Sequence, residues 1–129
     1  MTFVYIIVGV VVLYIGLQVF MIFSAKRSKG TKISGLPAGL KSLEKDGSKG
    51  IVYFFSPSCR ACTMQTPIIK SLQKKYKNIF DVDISKDMNT ARVFGIKATP
   101  TTVSVRDGVI KEVFLGAKGR QALEKIIVT

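Results

Sequence analysis

The apolar residues follow two different patterns along the chain. From Thr2 to Ser24 there is no periodicity: TFVYIIVGVVVLYIGLQVFMIFS holds no charged residue and only Gln18 as a strongly polar interruption. A helix of about 22 residues rises roughly 33 Å, enough to cross a hydrocarbon core of about 30 Å, so residues 1–24 are expected to form one transmembrane helix. The competing reading is a cleaved signal peptide, which has a basic start, an apolar run of about 7–15 residues and a small-residue cleavage site. Here no Lys or Arg precedes the run, the run is longer, and no small-x-small site follows it, which favours a retained anchor.

Past the apolar run the pattern breaks up. Residues 25–35, within SAKRSKGTKISG, are polar, basic and glycine-containing, and are expected to be a juxtamembrane linker whose cations can sit on anionic headgroups. LPAGLKSLEK, residues 36–45, places Leu36, Leu40 and Leu43 at helical spacing and predicts a short helix. IVYFF, residues 51–55, is a continuous apolar run of strand length, the pattern of a central strand covered on both faces. From Arg60 to Tyr76 the residues Met64, Ile68, Leu72 and Tyr76 recur every fourth position and predict a helix, with Pro67 inside it as a kink.

The second half continues the alternation. IFDVDI, residues 79–84, alternates apolar and acidic and predicts a second strand, and residues 86–94 a short helix ended near Gly95. Residues 101–106 and 109–115 flank Asp107-Gly108, a strong hairpin signal. A last helix is expected over 118–127, with Leu123, Ile126 and Ile127 inward, and a further strand near Ile33 would fit the same plan. The order indicates an α/β domain with a central mixed β-sheet flanked by helices.

Composition changes this picture in two ways. The chain holds 20 Lys and Arg against 8 Asp and Glu, for a net charge of +12. Such a balance permits nucleic-acid binding. The lysines are scattered over several predicted elements and no nucleic-acid motif accompanies them, so solvated surface charge and attraction to a lipid bilayer or acidic partners are expected, and no nucleic acid. Lys26, Arg27, Lys29 and Lys32 follow the apolar helix and only the amino terminus precedes it. The positive-inside rule then puts the domain in the cytoplasm, the periplasmic or other extracytoplasmic side being the alternative.

The second change comes from the two cysteines, Cys59 and Cys62, in FFSPSCRACTMQTP. A structural zinc site needs four ligands, and a chain with two Cys and no His does not supply them alone. Haem attachment needs His after the second Cys, where Thr63 stands. An iron–sulfur cluster needs four thiolates and hence two subunits. A purely structural disulfide across two intervening residues closes so short a loop that it removes little denatured-state entropy. Placement at a strand end and helix start, where free N–H groups and the helix dipole favour negative charge, with Arg60 alongside, favours a thiolate at Cys59 and a redox role for the pair.

Several positions together then resemble a thioredoxin, over roughly residues 36–129. IVYFF leads into SPSCRAC, Pro67 matches the helix proline, FGIKATPTT matches the segment around the family's cis-proline, and Asp107-Gly108 and Gly116 match the last hairpin and the glycine after it. The resemblance implies a thioredoxin-like fold and a thiol–disulfide oxidoreductase. In it Cys59 is the nucleophile and Cys62 the resolving cysteine, while cis Pro100 and Thr99, with Ser58 and Arg60, meet the substrate. No metal or organic cofactor is implied; the partners are protein disulfides or dithiols and a reductase or membrane electron donor. Three departures accompany it. Ser58 stands where tryptophan is usual, Arg60-Ala61 where Gly-Pro is usual, and Tyr53 at the family's buried aspartate. Asp81, on the next strand, is the candidate proton acceptor in that aspartate's place. A domain of this kind that binds peptides without turnover, as a chaperone module, is the alternative function.

Overall fold

The computed structural model describes residues 1–26 and 29–128; Arg27 of the basic stretch, Ser28 and the terminal Thr129 lie outside the described residues. One continuous helix, α1 (Thr2–Lys26), carries the apolar run. Its stretch Thr2–Ser24 is long and apolar enough to cross a membrane, and its side chains are exposed all round. Near its end Ser24 Oγ accepts from Lys97 Nζ at 2.7 Å; elsewhere an apolar surface on every side of a helix is what a bilayer accepts and water does not.

The rest is a four-stranded sheet of order β2-β1-β3-β4 with helices on both faces. The strands are β1 (Lys49–Phe55), β2 (Ile79–Asp83), β3 (Thr101–Arg106) and β4 (Val109–Leu115), and the helices after α1 are α2 (Arg60–Lys75), α3 (Met88–Val93) and α4 (Arg120–Val128). β1 runs parallel to β2 and antiparallel to β3, and β3 pairs antiparallel with β4, so the sheet is mixed as expected.

β1 explains why its sequence shows no alternation. Successive strand side chains point to opposite faces, and here both faces are covered. Val52 and Phe54 enter one core with Leu36, Leu40, Leu43, Val103 and Phe94, whose ring lies 5.1 Å from that of Phe54. Ile51 and Tyr53 enter the other with Ile69, Leu72, Leu123 and Ile127, contributed by α2 and α4.

Three expectations shift. Residues 36–45 do not form an α-helix: only Lys41–Glu44 turn, as a 3₁₀ segment, and Leu36, Leu40 and Leu43 are buried from an irregular path. Pro37 lacks an N–H and Gly39 is a poor helix former, so ten residues are too few to recover the cost of nucleation. In α2 the inward residues are Cys62, Gln65, Ile69 and Leu72, whereas Met64 is 74% exposed. A strict four-residue interval drifts about 40° per step around a helix of 3.6 residues per turn, so Met64 lies about 80° to one side of Leu72 while the buried stripe of Gln65, Ile69 and Cys62 extends about 80° to the other. The stretch Gly30–Ile33 is tied to the domain: Ile33 N–H donates to the Gly108 carbonyl, Ile110 N–H to the Thr31 carbonyl, and Ile33 is buried. The strand expected there amounts to a single bridge between Lys32 and Val109, and the domain takes in residues that the sequence pattern assigns to the linker.

The β3–β4 hairpin closes through Asp107 and Gly108 at φ 56° and 72°, the left-handed pair that a two-residue turn demands. A Cβ on Gly108 would also meet the Glu44 carbonyl oxygen at 2.6 Å. Gly108→Ala is therefore expected to destabilise the domain by about 1–3 kcal/mol, read as a lower urea midpoint in detergent at unchanged slope.

Candidate active site

The pairing of β1 with β3 decides where the site lies. Phe54 sits opposite Thr101, so the end of β1 and the start of β3 share one edge of the sheet. The chain leaving β1 turns through Ser56, whose carbonyl accepts from Cys59 N–H, and enters α2; the chain entering β3 does so through Thr99-Pro100. The Thr99–Pro100 peptide bond is cis, and the Pro100 carbonyl is held by Gly116 N–H at the end of β4.

Cys59 is the N-cap of α2. Its Sγ accepts from the Cys62 N–H at 3.2 Å, taking the place that a Ser or Asp oxygen holds at most helix starts. The first turn of α2 contains no acidic residue, so the positive end of the helix is left for the sulfur. Cys59 and Cys62 are joined as a disulfide with their Cα atoms 5.3 Å apart. Cys59 is half-buried and Cys62 only 2% exposed, so one sulfur is open to a partner and the other is sealed beneath it.

Of the residues singled out from sequence, Cys59, Cys62, Ser58, Arg60, Thr99 and Pro100 converge on this end of the sheet. Ser58 and Arg60 are exposed, Ser58 Oγ lying 3.0 Å from Ser56 Oγ, and Thr99 is half-buried. Asp81 has other partners. Its Oδ1 accepts from Gln73 Nε2 at 2.7 Å and its Oδ2 from Lys70 Nζ at 3.0 Å, both from α2. Partial burial pushes its pKa up, but the Gln73 and Lys70 hydrogen bonds and the Lys70 charge outweigh that and hold the carboxyl below its ordinary value. A carboxylate so held is a weak base, and its contacts clamp α2 to β2; they lend no support to the expected proton transfer with Cys62.

The group that does reach Cys62 is Tyr53. Its ring is fully buried and its hydroxyl donates to the Cys62 carbonyl at 3.4 Å and lies 3.0 Å from Thr66 Oγ1. Burial pushes the phenol above its ordinary value; the Thr66 bond opposes this and the Asp81 charge adds to it. Beside it Gln65, also fully buried, donates to Thr102 Oγ1 at 3.1 Å and accepts from Lys118 N–H at 3.0 Å, linking α2 to the strand that follows Pro100. Sequence reading marked Tyr53 only as a departure and missed Gln65. The available signal was a polar residue in the Cys62–Ile69–Leu72 helical register.

A disulfide at a helix start, with a cis-proline leading into the strand adjacent to the one before it in a mixed sheet, defines a disulfide-exchange domain. A profile of the thioredoxin family matches residues 40–129, and the chain belongs to that family. Thioredoxin of Bacillus subtilis is 27% identical over 92 residues, 67% of this chain and 88% of that one. Thioredoxin H4 of Arabidopsis thaliana is 33% identical over 87 residues, 64% of this chain and 73% of the relative. Among solved structures, oxidised mitochondrial thioredoxin 3 of Saccharomyces cerevisiae superimposes with a TM-score of 0.56 at 28% identity, covering 65% of this chain and 80% of that one. The family and the Cys59–Cys62 pair together make the chain a thiol–disulfide oxidoreductase.

The Asp81 clamp has a pH signature. Because the folded pKa lies below the ordinary value of 3.8, the clamp contributes fully above that value and its contribution is lost as pH falls through the lower folded one. Asp81→Asn is expected to cost about 0.5–1 kcal/mol at neutral pH, Lys70 being largely exposed, and the difference from wild type should shrink in urea titrations below the ordinary carboxylate range.

Proposed function

We propose that the protein is a membrane-anchored thiol–disulfide oxidoreductase that exchanges disulfides with protein substrates. In the reducing direction the Cys59 thiolate attacks a substrate disulfide and forms a mixed disulfide. Cys62 then attacks the Cys59 sulfur, releases the substrate dithiol and closes the 59–62 bridge. The same steps reversed oxidise a substrate dithiol. The observation that carries this reading is the asymmetry of the pair: Cys59 half-exposed at the positive end of α2, Cys62 sealed behind it.

The flanking residues complete the reading. The main chain at Thr99, beside Pro100, offers an extended substrate segment a strand edge to pair with, and Ser58 and Arg60 border the attacked sulfur. A reductase or membrane electron donor returns the pair to the dithiol. The apolar α1 anchors the domain, which raises its effective concentration toward disulfides of other membrane proteins. The cations that follow α1 favour the cytoplasmic side.

Full-length protein in detergent, coupled to a thioredoxin reductase, should reduce insulin disulfides, and Cys59→Ser should lower the rate by more than about 100-fold. Absent activity, or a rate indifferent to that substitution, would leave only a peptide-binding module. For the anchor, alkaline carbonate should leave the intact chain in the membrane pellet, and protease added outside sealed right-side-out vesicles should spare the domain. Release of a shortened chain would indicate a cleaved signal sequence, and digestion would place the domain on the exported side.

A further inference from the structure

Tyr53 has no part in the exchange steps above, yet it lies directly beneath them. Among the described buried residues, Tyr53 is the one with an ionisable side chain besides Cys62, which is joined to Cys59. A phenol carries one proton. Donated to the Cys62 carbonyl, that proton leaves the phenol oxygen to accept from the Thr66 hydroxyl, so a chain of two hydrogen bonds runs from Thr66 through Tyr53 to Cys62. Thr102, the residue opposite Tyr53 on β3, is held by the Gln65 amide. The Tyr53 phenol that meets Cys62, the Thr66 hydroxyl behind it, and the Gln65–Thr102 pair on the adjacent strand position are all neutral. The carboxylate on the neighbouring strand, Asp81, has both oxygens bonded to Gln73 and Lys70.

We propose that Tyr53 is a positioning residue for the resolving step, its hydroxyl holding the backbone of Cys62 so that the Cys62 sulfur meets the mixed disulfide without a buried carboxylate as base. The inference rests on the exchange reading and assigns that reading its second step. In this step the Cys62 S–H bond breaks, a Cys62–Cys59 bond forms, and the bond between Cys59 and the substrate sulfur breaks. The proton goes to the departing substrate sulfur. The pair loses two electrons and the substrate disulfide has gained two. The first step depends on Cys59 at the half-buried helix cap, to which the Tyr53 hydroxyl makes no hydrogen bond, so the two steps should respond differently to its loss.

Tyr53→Phe removes the hydroxyl and keeps the ring stacked at 5.6 Å on Phe55. Reduced full-length protein in detergent would be mixed with a peptide disulfide, quenched in acid and analysed by mass spectrometry, from about pH 5 to about pH 9. The mixed disulfide should live about five-fold longer in Tyr53→Phe at every pH, while its rate of formation stays within about two-fold of wild type. Thr66→Val, which removes the second anchor at a half-buried position, should lengthen it in the same direction, and Asp81→Asn should change neither rate. An unchanged lifetime in Tyr53→Phe, equal slowing of both steps, or an acid limb abolished by Asp81→Asn would overturn the proposal while leaving disulfide exchange standing. A wild-type chain that forms no mixed disulfide would overturn the exchange reading itself.

Discussion

The register between β1 and β3 governs almost everything else in this domain. With Phe54 opposite Thr101, the strand that delivers Cys59 and the strand that begins after Pro100 meet at one edge. A slip of one residue would turn every side chain of β1 to the other face. Val52 and Phe54 would then trade places with Ile51 and Tyr53, and the hydroxyl under Cys62 would point into the opposite core. Packing on both faces makes that slip costly, so the same burial that stabilises the sheet also fixes the geometry of the redox pair.

Chemistry at the pair follows from where the helix starts. A helix whose first turn lacks acidic residues and whose cap is a sulfur presents the Cys62 N–H and the positive end of its dipole to that sulfur. Burial then separates two otherwise similar cysteines, Cys59 half-buried at the cap and Cys62 sealed inside the domain. The neutral Tyr53 hydroxyl meets the Cys62 carbonyl, and the nearby Asp81 carboxylate holds α2 on the sheet through Lys70 and Gln73. A fully buried phenol costs less to desolvate than a carboxylate, which explains how Tyr53 can lie entirely inside the core.

Local chemistry was legible in the sequence wherever one residue type has few alternatives. Cys59 and Cys62 without His, Pro100 within its motif, Asp107-Gly108 at a hairpin and an uncharged run from Thr2 to Ser24 each restrict the backbone or the reaction by themselves. IVYFF could be read as a central strand because only a strand covered on both faces tolerates five consecutive apolar residues. The failures fell where a choice depended on neighbours distant in sequence. Leu36, Leu40 and Leu43 had helical spacing, but burial against β1 and α3 residues did not require a helix. Met64 fitted a four-residue rhythm, but the position of the sheet selected the Cys62–Gln65–Ile69–Leu72 face.

The sequence by itself determined the local constraints: which side chains can be oxidised, where a helix must begin, which proline sits in a cis-proline motif, and which helix suits a bilayer. Tertiary structure decided the partners. That Asp81 faces Lys70 and Gln73, that Tyr53 reaches Cys62, and that Gln65 joins α2 to Thr102 are contacts across 11, 8, 9 and 37 residues of sequence. The physical reason is that a hydrogen bond depends on a few tenths of an ångström and on direction, and sheet register and helix rotation set those only after the apolar faces have packed.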